Sequence, residues 1–419
     1  MMRNQMVRRL LTIGSFVACA VILADRANAD NRPDISEDLE SGRLAAAEES
    51  LTKFLAKQPE DDLGRFQLGA VQFFAAVERL AQDSYRYGLN PNMGMVPFLR
   101  TPVEVNPNPG PVRYGDIRAM IERFVQGVEH AEATLAPVKD TRLSWKLDLM
   151  AVRLDMNGDG QAEPDETLWS VFERFAIRRP GVLRPESFAI GLDSADVHWL
   201  RGYCHLVAAL GEMILAYDHQ RLFDHTAQLF FANPQTPYVS ILGRRPGEAE
   251  PARPFDPEQI MDAVAFIHLA SFPVREPERL AKARNHLLAM IDASRKSWEL
   301  IEAESDNDHE WIPGPGQDSI VEGVAINRER LAAWRRFLDE ADAVLHGKKL
   351  VPFWRHGTNQ GVNLMRVFTE PKDFDLVLWF QGSGAVPYLD KGEITSPETW
   401  AEFQRVFGGR FIGFAIWIN

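Results

Sequence analysis

The sequence predicts a mainly α-helical protein with a small C-terminal α+β unit, built from helical bundles or hairpins that include one helix–loop–helix. Three observations point there. Apolar residues recur at helical spacing through most of 113–346. Two stretches rich in Pro and in Gly or Asn, 90–111 and 232–256, break the helices apart. After Gly347 the runs shorten and gather β-branched and aromatic residues between turn signals. With 419 residues, 45% of them hydrophobic, the chain can bury a core without cross-links.

The chain opens on Arg3, Arg8 and Arg9, an apolar run from Leu10 to Ala24, and Ala27 and Ala29 at the small-residue positions before a cut. This is the layout of a secretory signal peptide over 1–29, and the run is too short for a stable membrane span. A retained anchor and lipidation at Cys19 are the alternatives; Phe16, and the apolar residues that continue past Cys19, disfavour the second. Cleavage after Ala29 predicts an exported product with no membrane span in the mature chain. It would be periplasmic in a double-membrane bacterium and secreted otherwise. Cleavage moves the formal charge from −13 to −16, which repels nucleic acid and anionic lipid as partners. Cys204 is then the remaining cysteine, so no internal disulfide is expected.

Residues 30–92 read as a helical hairpin region. In "GRLAAAEESLTKFLAKQPEDDLGRFQLG", small and large residues at Gly42, Leu44, Ala47, Leu51 and Phe54 let two helices nest. Pro59 ends the first helix, and Leu68 and Gly69 sit on the second. The stretch resembles a tetratricopeptide repeat over 42–69, covering the second helix of one repeat and the first of the next. A repeat implies a groove for a protein or peptide partner; a generic hairpin packed on the main body fits the same residues. The main helical domain spans 113–346, with helices expected over 114–136, 141–154, 164–178, 194–231, 256–271, 276–304 and 318–346. In the unit at 348–419, "GVNLMRVF", "FDLVLWFQG" and "FIGFAIWIN" read as strands. "SPETWAEFQRVFGG" reads as a helix with Ser396 as cap and Pro397 at its first position.

Between two of the expected helices lies "DMNGDGQAEPDE", residues 155–166, five of whose twelve residues are acidic. Asp155, Asn157 and Asp159 offer side-chain oxygens at positions one, three and five. Gly160 stands sixth, where the chain must turn, and Gln161 seventh, where its carbonyl serves. Glu163 is ninth and Glu166 twelfth, placed for bidentate binding. A hard cation with six to eight oxygen ligands needs this spacing, and the flexible geometry favours calcium over magnesium. The loop resembles an EF-hand. The resemblance implies a calcium site formed by Asp155, Asn157, Asp159, Gln161, Glu163 and Glu166. Leu143, Leu147, Met150 and Leu154 would face inward on the incoming helix, and Leu168, Val171, Phe172 and Phe175 on the outgoing one. Two positions depart from the family: Ala162 is small at position eight and Pro164 stands at position ten. The best partner loop, "DNDHEW" at 306–311, lacks the glycine and has Gln317 where the twelfth-position acid belongs. A lone loop in an exported chain points to a structural ion rather than a sensor, because sensors use paired loops.

On the expected 194–231 helix, His198, Arg201, His205, Glu212 and His219 fall within a sector of roughly 60° at ~100° per residue. The stripe is either a cleft, with His205 and Glu212 moving protons and Arg201 holding an anion, or a satisfied network of buried pairs. The seven-residue spacing of His198, His205 and Glu212 does not suit a transition metal. "FQGSGAVPY" reads as a hairpin turn, and Cys204 as an inert core residue. The sequence thus predicts an exported calcium-binding protein, a non-enzymatic binding or scaffold protein of the cell envelope. The alternative is a hydrolase-like enzyme with a cleft lined by Arg201, His205 and Glu212.

Overall fold

The computed structural model describes residues 31–90, 103–175, 186–242, 257–304, 307, 310–318, 326–355, 360–396, 400–402 and 405–406. Across these residues the chain is mainly helical, with small antiparallel sheets. The expected signal segment 1–29 and the closing "FIGFAIWIN" strand lie outside the described residues, as does much of the 90–111 loop.

Helices α1 (Ser36–Glu40), α2 (Leu44–Leu55) and α3 (Asp62–Arg86) form the N-terminal part. Leu44, Ala47 and Leu51 are buried on α2. Asp61 caps α3: its Oδ1 accepts the Gly64 N–H at 2.7 Å, and Arg32 pairs with its Oδ2 at 2.8 Å. The next long helix, α4 (Tyr114–Leu135), lies against α3. It comes close because Gly69 has no side chain: a Cβ there would stand 2.5 Å from Leu135 Cδ2.

A short strand β1 (Trp145–Asp148) leads to the acidic loop, and α5 (Leu168–Phe175) leaves it. Strand β2 (Ala189–Leu192) pairs antiparallel with β1, Trp145 opposite Leu192. The expected helix over 141–154 is therefore absent. The run "LSWKLDL" also alternates with period two, and this alternation prevails because "AIGL" supplies a pairing edge. Asp148 fixes the turn, with its Oδ1 accepting the Met150 and Phe188 N–H groups at 2.9 Å.

Helix α6 (Ser194–Leu215) begins on a capping box between Asp193 and Asp196 and is central. It packs along α4 on one side and along α10 (Pro277–Ile301) on another. The expected 194–231 helix is two helices, because the chain turns at 216–219 before α7 (Gln220–Phe230). No Gly or Pro marks that break. Arg118 donates to the carbonyls of Leu215 and Tyr217 at 3.0 and 3.2 Å, and the Arg275 and Glu276 amides donate to the Ala216 carbonyl. Short α8 (Val239–Leu242) and α9 (Pro257–Leu269) follow α7. Then α11 (Arg328–Leu345) covers α10, burying Trp298, Trp334 and Leu338.

Between α9 and α10, β3 (Ser271–Phe272) pairs with β6 (Phe374–Asp375) from the tail. In the tail, β4 (Val351–Pro352), β5 (Gln360–Val362) and β7 (Leu389–Lys391) form one sheet in the order β4–β5–β7. "NLMRVF" and "LVLWFQ", expected as strands, are mostly the short helices α12 (Leu364–Thr369) and α13 (Leu376–Gln381). Asn363 and Asp375 cap them by accepting from Arg366 N and Leu378 N. "SGAVPY", expected as a turn, is a 3₁₀ helix over Ser383–Tyr388. Among the described residues no helix is long and apolar enough to cross a membrane.

Candidate functional site

The acidic loop is wound by its own side chains. Asp155 accepts the Gly158 N–H on Oδ1 at 2.8 Å and the Gly160 N–H on Oδ2 at 3.0 Å. Asn157 Oδ1 accepts Asp159 N–H, and Asp159 Oδ1 accepts Gln161 N–H, both at 2.8 Å. Glu166 closes the ring by accepting Met156 N–H at 3.0 Å and Glu163 N–H at 2.9 Å. Gly158 and Gly160 have φ of +76° and +89°, a left-handed conformation that costs a residue with a side chain extra. The two ends of the loop are tied together: Leu154 N–H donates to Glu166 O, and Leu168 N–H to Val152 O.

Helix α3 grips the loop from outside. Gln82 Nε2 donates to the Asp155 carbonyl at 2.8 Å, and Glu78 Oε2 accepts the Asp155 N–H at 2.9 Å. Burial pushes the Glu78 carboxyl up to about 7 against the pull of that N–H, and the charges of Asp155 and Glu166 add to the rise. Burial also raises Glu166. Ala162 at position eight packs on Gly42 at the turn between α1 and α2, so its small size matches a tight contact within the chain. Among the described residues, Asp155, Asp159, Glu163 and Glu166 form no ion pair with Lys or Arg. Nor does any group of three or more His, Cys, Asp or Glu side chains there converge as a metal shell. The Asp155, Asn157, Asp159 and Glu166 oxygens accept backbone amides. Of the second loop, Asp306 and Asp308 lie outside the described residues. Glu310 is buried, near Asp193, Asp196 and Glu304.

The polar stripe divides four ways. His198 lies by Lys296 and Glu299, and burial with the nearby Arg201 and Lys296 charges holds its imidazole down at about 4. Arg201 and His205 meet Glu132 of α4: Arg201 Nη2 is 2.9 Å and His205 Nε2 3.5 Å from the same oxygen. Burial raises Glu132, but the hydrogen bonds and charges of His205 and Arg201 outweigh it and leave it lowered. His205 Nδ1 stands 3.0 Å from His286 Nδ1 on α10, and His286 Nε2 is 2.9 Å from Glu129, which it helps hold down at about 2. Glu129, Glu132, His205 and His286 line a cavity of about 170 Å³ together with Cys204, whose thiol is pushed up by burial. Glu212 does not reach this cavity. Its side chain is fully buried, 2.9 Å from Arg279 and 2.7 Å from Lys282. His219 is beyond the end of α6, with its ring against Phe272.

Arg279 also meets Glu122 at 2.7 Å and Glu276 at 2.5 Å, while Lys282 meets Glu129 at 2.7 Å. The stripe is thus one side of a charged seam shared by α4, α6 and α10. Glu122, Glu129 and Glu132 on α4, and Arg279, Lys282 and His286 on α10, were legible only as helical polar positions in sequence. Their spacing of three, four and seven was the available signal. Across the comparisons with known proteins, no family model, no curated protein and no solved structure matches this chain.

Proposed function

We propose that this is an exported calcium-binding protein of the cell envelope, of the non-enzymatic binding or scaffold kind, with a structural ion in the 155–166 loop. The observation that carries the reading is the loop itself. Five acidic residues lie on a loop with two left-handed glycines. Of these, Asp155, Asp159, Glu163 and Glu166 have no Lys or Arg partner among the described residues, and Glu78 brings a further carboxylate from α3. A divalent cation relieves the repulsion among them, with Asp155, Asn157, Asp159, Gln161, Glu163 and Glu166 as ligands. The EF-hand reading rests on the residue spacing of the turn, with a strand leading in rather than a helix and position eight packed on Gly42. Such a lone loop suits an ion that fastens the loop to α3 and α1–α2. It does not suit half of a sensor pair.

The alternative, a hydrolase-like cleft of Arg201, His205 and Glu212, has less support. Glu212 is sealed in ion pairs away from the His205 cavity, and Arg201 is committed to Glu132. The test is calorimetric calcium titration of chelator-stripped protein, wild type and Glu166→Gln. The expected result is binding that weakens at least tenfold in the variant, and a melting temperature that falls on chelation. No binding at millimolar calcium, or equal affinity in the two proteins, overturns the reading.

A further inference from the structure

Helix α9 turns an apolar face to solvent. Ile260 is 47% exposed, Met261 62%, Val264 56% and Ile267 52%, with Ala263 exposed between them. At ~100° per residue these side chains share one side of the helix, and His268 is the ionisable residue at its edge. Helix α13 adjoins α9. The β3–β6 pair joins the two helices, and Leu376 N–H donates to Ala270 O. On α13 and the 3₁₀ turn, Val377, Leu378, Phe380 and Val386 are 46–77% exposed. Eight such side chains present on the order of 800 Å², what one partner contributes to a standard interface and more than a typical monomer leaves bare.

We propose that this face pairs with a second copy of the chain about a two-fold axis, with α9 crossing the partner's α9 antiparallel. The order of residues along α9 fits this occupant. Ile260 and Ile267 stand at the ends of the stripe, and small Ala263 and Val264 stand between them. In an antiparallel crossing centred on Ala263 and Val264, Ile260 meets the partner's Ile267 and the reverse, while the small residues let the helix axes approach. Each half satisfies the other, as an isologous contact requires. A lipid surface fits less well. Interfacial helices carry Lys and Arg beside their apolar face, whereas Asp262, Asp373 and Asp375 stand near this one, in a chain of formal charge −13.

The test is sedimentation equilibrium of the full chain from 1 to about 100 µM, beside Val264→Glu, Val264→Leu and Ala263→Cys. Wild type and Val264→Leu should sediment at twice the chain mass. Val264→Glu, which puts two carboxylates at the axis, should weaken pairing at least a hundredfold while keeping the wild-type circular dichroism at about 25 °C. Ala263→Cys should cross-link to a covalent dimer under mild oxidation, because its two copies meet at the axis. A wild type of one chain mass throughout overturns the proposal. So does a dimer unaffected by Val264→Glu, or a monomer that pellets with phosphatidylcholine vesicles through this face.

Discussion

The Glu212 carboxylate lies 2.9 Å from the Arg279 guanidinium although no surface of the Glu212 side chain reaches water. Arg279 answers three carboxylates at once. Burial opposes its charge, but Glu276, Glu212 and Glu122 together raise its pKa above the ordinary guanidinium value. Removing Glu212 leaves Arg279 and Lys282 facing a buried gap. Glu212→Ala should lose about 3–5 kcal/mol of unfolding free energy in urea titrations. The double substitution Glu212→Leu with Arg279→Met should lose clearly less than the two single changes added together.

Two carboxylates give pH dependence of opposite sign. Burial and the neighbouring Asp193 push Glu304 up to about 8. The folded state therefore holds a proton that the unfolded state releases near its ordinary value. Stability from this group is complete below pH ~4.5 and is lost as pH rises through 8. The melting temperature should fall from pH 6 to 9, and Glu304→Gln should flatten that fall. Glu129, held down at about 2 chiefly by the His286 hydrogen bond, acts the other way. Its contribution is present above pH ~4.5 and disappears on acidification toward 2, so Glu129→Gln should flatten the acid limb.

Gly42 has φ of +68° and leaves no room for a Cβ beside Ala162. Gly42→Ala should cost about 1–3 kcal/mol, through the left-handed backbone and the overlap together. Adding Ala162→Gly removes the overlap alone. The double variant should recover part of the loss in chemical denaturation, and full additivity of the two changes would show that the contact does not form.

Cys204 is 1% exposed and its thiol is pushed up by burial. A thiol-specific reagent should leave it unmodified in the native protein and label it within minutes in 6 M guanidinium.

The helical class, the α4 and α10 limits and the turn residues of the acidic loop were legible in the sequence, since each rests on local periodicity or on φ that glycine alone adopts freely. Three features were not, and for one reason. The 145–148 strand depends on an edge at 189–192, the stop at Leu215 on Arg118 from another helix, and the pairing of Glu212 on Arg279 and Lys282. Each is decided by a residue distant in sequence. The stripe was visible as a stripe, but its division among four sets of partners was not, because those partners lie on α4, α10 and β3.

The seam also constrains the order in which the chain can become native. Its contacts between helices join residues 67 to 157 positions apart, and Arg279, Lys282 and His286 are the last of its members to be synthesised. Until residues 277–301 have left the ribosome, Glu122, Glu129 and Glu212 lack their cations from α10, and closing α4 on α6 alone would bury uncompensated charge. Folding of the helical body is therefore deferred past much of synthesis, with loop closure over long separations setting its pace.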